Sequence, residues 1–132
     1  MRAPGTRPPR IAVIADDLIW GTRLLDGLRR AGAEAAPART PEAVEAVLDE
    51  ADGAIVDLTS RAFDPFEVLR SAVAHSIRTI AVGPHDDATI RRAAREAGAD
   101  KVFAYRALFE HGDVALAAWL AEVEVTDGEE EE

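Results

Sequence analysis

Apolar and polar positions along this chain follow two rhythms. Short apolar runs alternate with longer segments whose apolar residues recur at helical spacing. "RIAVIA", from Arg10 to Ala15, reads as a first strand. "LIWGTRLLDGLRRAG" follows as a helix, with Leu18, Leu25 and Leu28 near helical spacing and Gly32 as its stop. "AEAAPAR" is a weak second strand of small residues, and Pro37 assigns it to an edge. Thr40 caps the next helix, Pro41 opens it, and Ala43, Val44, Val47 and Leu48 form its apolar face.

"GAIVDL" is the third strand. Asp64-Pro65-Phe66-Glu67 then supplies an N-cap, a proline at the first helical position and an acid three residues after the cap, opening a helix that runs to about His75. "RTIAVG" is a fourth strand, "PHDD" its loop, and "ATIRRAAREAG" a helix ended by Gly98. "DKVFAY" is a fifth strand, and "LFEHGDVALAAWLAEV" one final helix, irregular around Gly112. No internal repeat stands out.

Strands alternating with helices imply an α/β fold: a doubly wound, five-stranded parallel sheet covered on both faces, in three α/β/α layers. Right-handed crossovers leave few topologies, and the simplest is the flavodoxin-like order 2-1-3-4-5, with the weak second strand at an edge. The first and third strands are then neighbours at the switch point, where sites form beyond the strands' C-terminal ends. Asp16 and Asp17 end the first strand and Asp57 ends the third, so three carboxylates should meet in one crevice. Each also has a plainer reading: an acid that bonds loop N–H groups or caps a helix.

Composition narrows the class. The 132 residues suffice for one core, and 48% are apolar. There is no cysteine, which excludes disulfides and thiolate chemistry. The net charge of -10 opposes binding to a phosphate backbone, so no nucleic-acid partner is expected. No apolar run approaches the ~18 residues of a membrane helix. Residues 1–9 read as a flexible, basic, Pro-rich lead-in, 10–123 as the folded domain, and 124–132 as a disordered acidic tail. No apolar signal core follows the lead-in, and a cytoplasmic location is expected.

Clustered carboxylates repel one another unless a cation lies among them. Hard oxygens suit Mg²⁺, which usually takes one or two carboxylates plus water. Beside such an ion a carboxylate can attack a phosphoryl donor, because the metal offsets the phosphate's charge. The crevice thus has the composition of a Mg²⁺-dependent phospho-aspartate site. No G-x-G-x-x-G or P-loop pattern occurs, and no organic cofactor is expected.

Three stretches carry a family resemblance: "IAVIADD", "VDLTSRAFDPFEVLR" and "GPHDDATIRRAAREAGADKVFAY". Over roughly residues 10–121 the chain resembles a response-regulator receiver domain. The resemblance implies Asp57 as phospho-acceptor and Asp16, Asp17, Asp57 and the backbone carbonyl of Thr59 as the metal-binding set. Several of the family's switch positions are altered. Counting back from Gly32, the acidic pair falls on Ala15 and Asp16, so the first acid is lost unless Asp17 substitutes. The Ser/Thr that ends the fourth strand falls on Gly83, the Lys that ends the fifth strand on Tyr105, and the following Pro on Arg106. "SRAF" replaces the Pro-Gly loop after the acceptor. The lost Lys would give the phosphoryl group a charged hydrogen bond, worth ~1.5–3 kcal/mol. Tyr105 is expected as a packing or hydrogen-bonding substitute, and Arg106 replaces the Lys only if its strand geometry differs.

Other polar residues have local roles. Asp64 is an N-cap, and Asp86 and Asp87 cap the fourth helix. His85 lies where receivers tune the lifetime of the phosphoryl group. His75 and His111 show no partner pattern for a metal and are expected at the surface or at helix ends. Trp20 should partly cover the crevice, and Trp119 should pack in the core.

The leading functional expectation is a non-enzymatic, stand-alone pseudo-receiver that signals by docking to another protein. In receivers the fourth helix, fifth strand and fifth helix commonly form that docking face, which also serves homodimers. The alternative is a single-domain response regulator phosphorylated on Asp57 by a sensor histidine kinase in a phosphorelay. A small enzyme is a third class, but no nucleophile–base pair is visible, and "DDLIWG" lacks the His that a cobalamin-binding domain needs.

Overall fold

The computed structural model describes residues 7–84, 87–110 and 112–125. The calls for His85, Asp86 and His111, for most of the lead-in and for most of the acidic tail therefore lie outside the described residues. Five strands, β1 (Arg10–Ile14), β2 (Glu34–Ala38), β3 (Gly53–Asp57), β4 (Arg78–Gly83) and β5 (Lys101–Ala104), form one sheet in the order β2-β1-β3-β4-β5. All neighbouring pairs are parallel. The helices are α1 (Leu18–Arg30), α2 (Pro41–Glu50), α3 (Pro65–Ala74), α4 (Ala88–Glu96), α5 (Tyr105–Glu110) and α6 (Gly112–Glu122).

Side chains alternate across a strand, and here the alternation divides the core in two. Ala12, Ile14, Ala54, Val56 and Ala81 face α2, α3 and α4, where Val44, Leu48, Leu69, Ala72 and Ala94 meet them. Ile11, Val13, Ile55, Ile80 and Val82 face α1, α5 and α6, meeting Leu24, Leu28, Leu108, Leu116 and Trp119. The three layers follow from this division. Among the described residues no helix is long and apolar enough to cross a membrane.

Helix starts obey the local signals. Thr40 accepts a hydrogen bond from the Ala43 amide, Asp64 from Phe66 and Asp87 from Ile90, each satisfying an amide of the first turn. One expectation needs correction at the C-terminal end. Tyr105 does not end β5; it opens α5. The final segment is described as α5 and α6 on either side of position 111, which lies outside the described residues. Tyr105 thereby gains helical neighbours one turn on, including Phe109.

Gly98 follows the C-cap of α4 with φ +114, and a Cβ there would lie 2.3 Å from Val73 Cγ2. Gly98→Ala should therefore cost about 1–3 kcal/mol, seen as a lower urea midpoint with an unchanged slope. An unchanged midpoint would show that the turn relaxes without strain.

Candidate functional site

The site is built at the C-terminal end of the sheet, where β1 and β3 run side by side. Asp57 is the last residue of β3 and is fully buried. Its Oδ1 accepts hydrogen bonds from the Thr59 amide at 2.9 Å and the Thr59 hydroxyl at 2.7 Å. The Tyr105 hydroxyl donates a third hydrogen bond to the same oxygen and lies 3.2 Å from the Thr59 hydroxyl. Among the described residues, Asp57 Oδ2 is buried with no hydrogen-bond partner. Tyr105 thus sets a neutral donor against the Asp57 carboxylate. Burial, and then the hydrogen bond to Asp57, push the Tyr105 phenol above its ordinary range, while Thr59 acts the other way.

Asp16 and Asp17 divide their work. Asp17 caps α1, accepting from the Trp20 amide at 3.0 Å. Asp16 Oδ2 accepts from the amides of Arg61 and Ala62 at 2.6 and 2.8 Å. It therefore ties the "SRAF" segment after β3 to the end of β1. Asp16, Asp17 and Asp57 do not form a three-ligand cluster within 4.8 Å; among the described residues only Glu45, Asp49 and His75 do so. Each of the three acids is drawn to a different set of donors. The oxygens suited to a hard cation are the orphaned Asp57 Oδ2 and those of Asp16, within the one or two carboxylates that Mg²⁺ usually takes alongside water.

The altered positions are filled by packing. Ala15 is buried. A Cβ on Gly83 would lie 3.2 Å from Leu58 Cδ1, so Leu58 occupies the space beside this position. Arg106 stays exposed and pairs with Glu110 at 3.0 Å; the guanidinium does not replace the Lys at Asp57.

Above Asp57 lies an aromatic stack. The Trp20 ring stacks on Tyr105 at 4.3 Å and on Phe109 at 4.9 Å between centroids. The Arg23 guanidinium lies 5.4 Å from the Trp20 ring and 5.6 Å from Phe109, a cation–π arrangement. The stack joins α1 to α5 and holds the Tyr105 ring over the acceptor. Thr59, Phe109, Arg23 and Leu58 were not singled out from the sequence for these roles. The four-residue spacing of Tyr105 and Phe109 was a usable signal, hidden by reading Tyr105 as strand.

The strand order, the layers and the buried acid at the end of β3 define a flavodoxin-like fold of the receiver type. No protein-family profile matches the sequence, and no curated protein matches it. Solved structures do. A response regulator from Burkholderia pseudomallei, with a phosphorylated aspartate, calcium and citrate, matches at TM-score 0.69 and 21% identity over 87% of this chain and 70% of that one. The receiver domain of a DNA-binding response regulator from Colwellia psychrerythraea matches at TM-score 0.74 and 18% identity, covering 85% and 98%. The receiver domain of a sensor histidine kinase from Pseudomonas aeruginosa, with magnesium in its active-site cleft, matches at TM-score 0.73 and 16% identity, covering 86% and 98%. This chain has the receiver-domain fold.

Proposed function

We propose that this chain is a divergent receiver-like signalling module that works by binding another protein, with phosphorylation playing little or no part. The observation that carries this reading is the Tyr105 hydroxyl on Asp57. A receiver needs its acceptor carboxylate open to a phosphoryl donor and a cation beside the incoming charge. Here the acceptor is fully buried under a phenol that is itself held by Trp20 and Phe109. Gly83 has no hydroxyl with which to follow a phosphate, so the usual readout has lost its first contact. The partner is a sensor kinase or a downstream signalling protein, and the face formed by α4, β5 and the final helical segment, α5 with α6, is its docking surface and that of a homodimer. The net charge of -10 argues against nucleic acid.

A second reading keeps the chemistry: a response regulator phosphorylated on Asp57. The orphaned Asp57 Oδ2 favours it, as a buried carboxylate oxygen without a partner is suited to a cation or a covalent adduct. In that case Asp57 and Asp16, with Asp17 and the Thr59 carbonyl as further candidates, would hold Mg²⁺, which would offset the charge of the phosphoryl group. Magnesium bound in the Pseudomonas receiver cleft supports the same reading.

Trp20 fluorescence separates the two, because Trp20 stacks directly on Tyr105. The protein is titrated with Mg²⁺ and beryllofluoride, a mimic of aspartyl phosphate, with native mass spectrometry to detect the adduct. We expect no saturable response. A response that needs both ions and disappears in Asp57→Asn would establish the second reading.

A further inference from the structure

We propose that Glu45, Asp49 and His75 form a binding site for a divalent transition metal of the Zn²⁺ type, clamping α2 to α3 away from the acceptor crevice. Glu45 and Asp49 are four residues apart on α2, so both project from one face. His75 is the C-cap of α3. Its Nε2 lies 2.9 Å from Asp49 Oδ1 and 3.8 Å from Glu45 Oε1. Ligands around a tetrahedral Zn²⁺ with bonds of ~2.0–2.1 Å stand about 3.3 Å apart. The two observed separations bracket that value, and the third, between the Glu45 and Asp49 carboxylates, is within 4.8 Å, so modest side-chain shifts would bring all three ligands to bonding distance. A water would complete the set on the open side, where both carboxylates are exposed.

One residue outside the three ligands orients them, and the imidazole is the first group it fixes. Its Nδ1 lies 2.8 Å from the Ser71 carbonyl, which can only accept, so Nδ1 carries a hydrogen. Nε2 is then the ring atom that faces Asp49, and in a neutral ring it offers its lone pair on that side. The orienting residue is Ser71. Its carbonyl fixes the imidazole, and its hydroxyl donates to Glu45 Oε2 at 2.7 Å, so one residue orients two of the three ligands. Ligating histidines are held in this way, through the other ring nitrogen, at protein metal sites.

The test is calorimetric titration of chelator-treated full-length protein with Zn²⁺, paired with native mass spectrometry. One ion per chain is expected. His75→Ala and Asp49→Asn should each weaken binding about tenfold or more, and Ser71→Ala should weaken it as loss of an orienting partner does. Glu96→Gln, on α4, should leave it unchanged. If His75→Ala is poorly folded, the ¹⁵N resonance of His75 Nε2 in the wild-type protein decides: saturable Zn²⁺ should shift it. Absence of binding, binding unaffected by the His75 and Asp49 substitutions, or an unmoved Nε2 resonance would overturn the site.

Discussion

Tyr105→Phe should make Asp57 accessible to beryllofluoride in the presence of Mg²⁺, producing a saturable change in Trp20 fluorescence where the parent protein gives none. The substitution removes the hydroxyl that bonds Asp57 Oδ1 and leaves the ring that stacks on Trp20 at 4.3 Å. Thr59 remains as the donor to Oδ1 through its amide and hydroxyl. A hydrogen bond to a charged group contributes about 1.5–3 kcal/mol. Releasing it should therefore raise the apparent affinity for the mimic by about ten- to a hundredfold. The response should vanish when Asp57→Asn is added. A Tyr105→Phe variant as inert as the parent would mean that the phenol does not close the site. The proposed role of Tyr105 would then fall.

Trp119→Ala should cost about 3–5 kcal/mol, the largest stability effect expected of any single side chain here. Trp119 is fully buried and heads the cluster that seals α6 against the sheet. Its ring packs so closely on β3 that a Cβ on Gly53 would lie 2.8 Å from Trp119 Cη2. For a chain of this length the loss corresponds to a fall in Tm of roughly 10–20 °C, measurable by circular dichroism. Trp119→Phe should cost far less, since it keeps most of the packing and removes an indole N–H that is buried without a partner among the described residues. Gly53 supplies a coupled test. Gly53→Ala should be damaging in the parent and milder beside Trp119→Ala, where its methyl group has room. Equal costs in both backgrounds would show that the two residues do not press on each other.

Much of the fold was legible because its signals are local. The apolar runs at Ile11–Ile14, Ala54–Val56 and Ile80–Val82, the caps at Thr40, Asp64 and Asp87, and Pro37 in β2 each state their role within a few residues. The strand order followed from right-handed crossovers between parallel neighbours. Reading failed where two signals competed. Tyr105 looks like the last strand residue because β-formers precede it, yet it begins α5, and its ring is held there by Phe109 one turn on and by Trp20 from far outside the local window. His75 was placed correctly at a helix end, but nothing near it in the chain announces Glu45 and Asp49, about thirty residues earlier.

By itself, then, the sequence determined the α/β class, the parallel order and the placement of an acid at the end of β3, since periodicity and capping act over one or two turns of chain. Only the tertiary structure decided what each acid does. Asp17 went to a helix cap, Asp16 to the amides of Arg61 and Ala62, and Asp57 to Thr59 and Tyr105. The physical reason is that a buried carboxylate takes whichever donors the packed elements bring within about 3 Å, and those donors lie far apart in the chain.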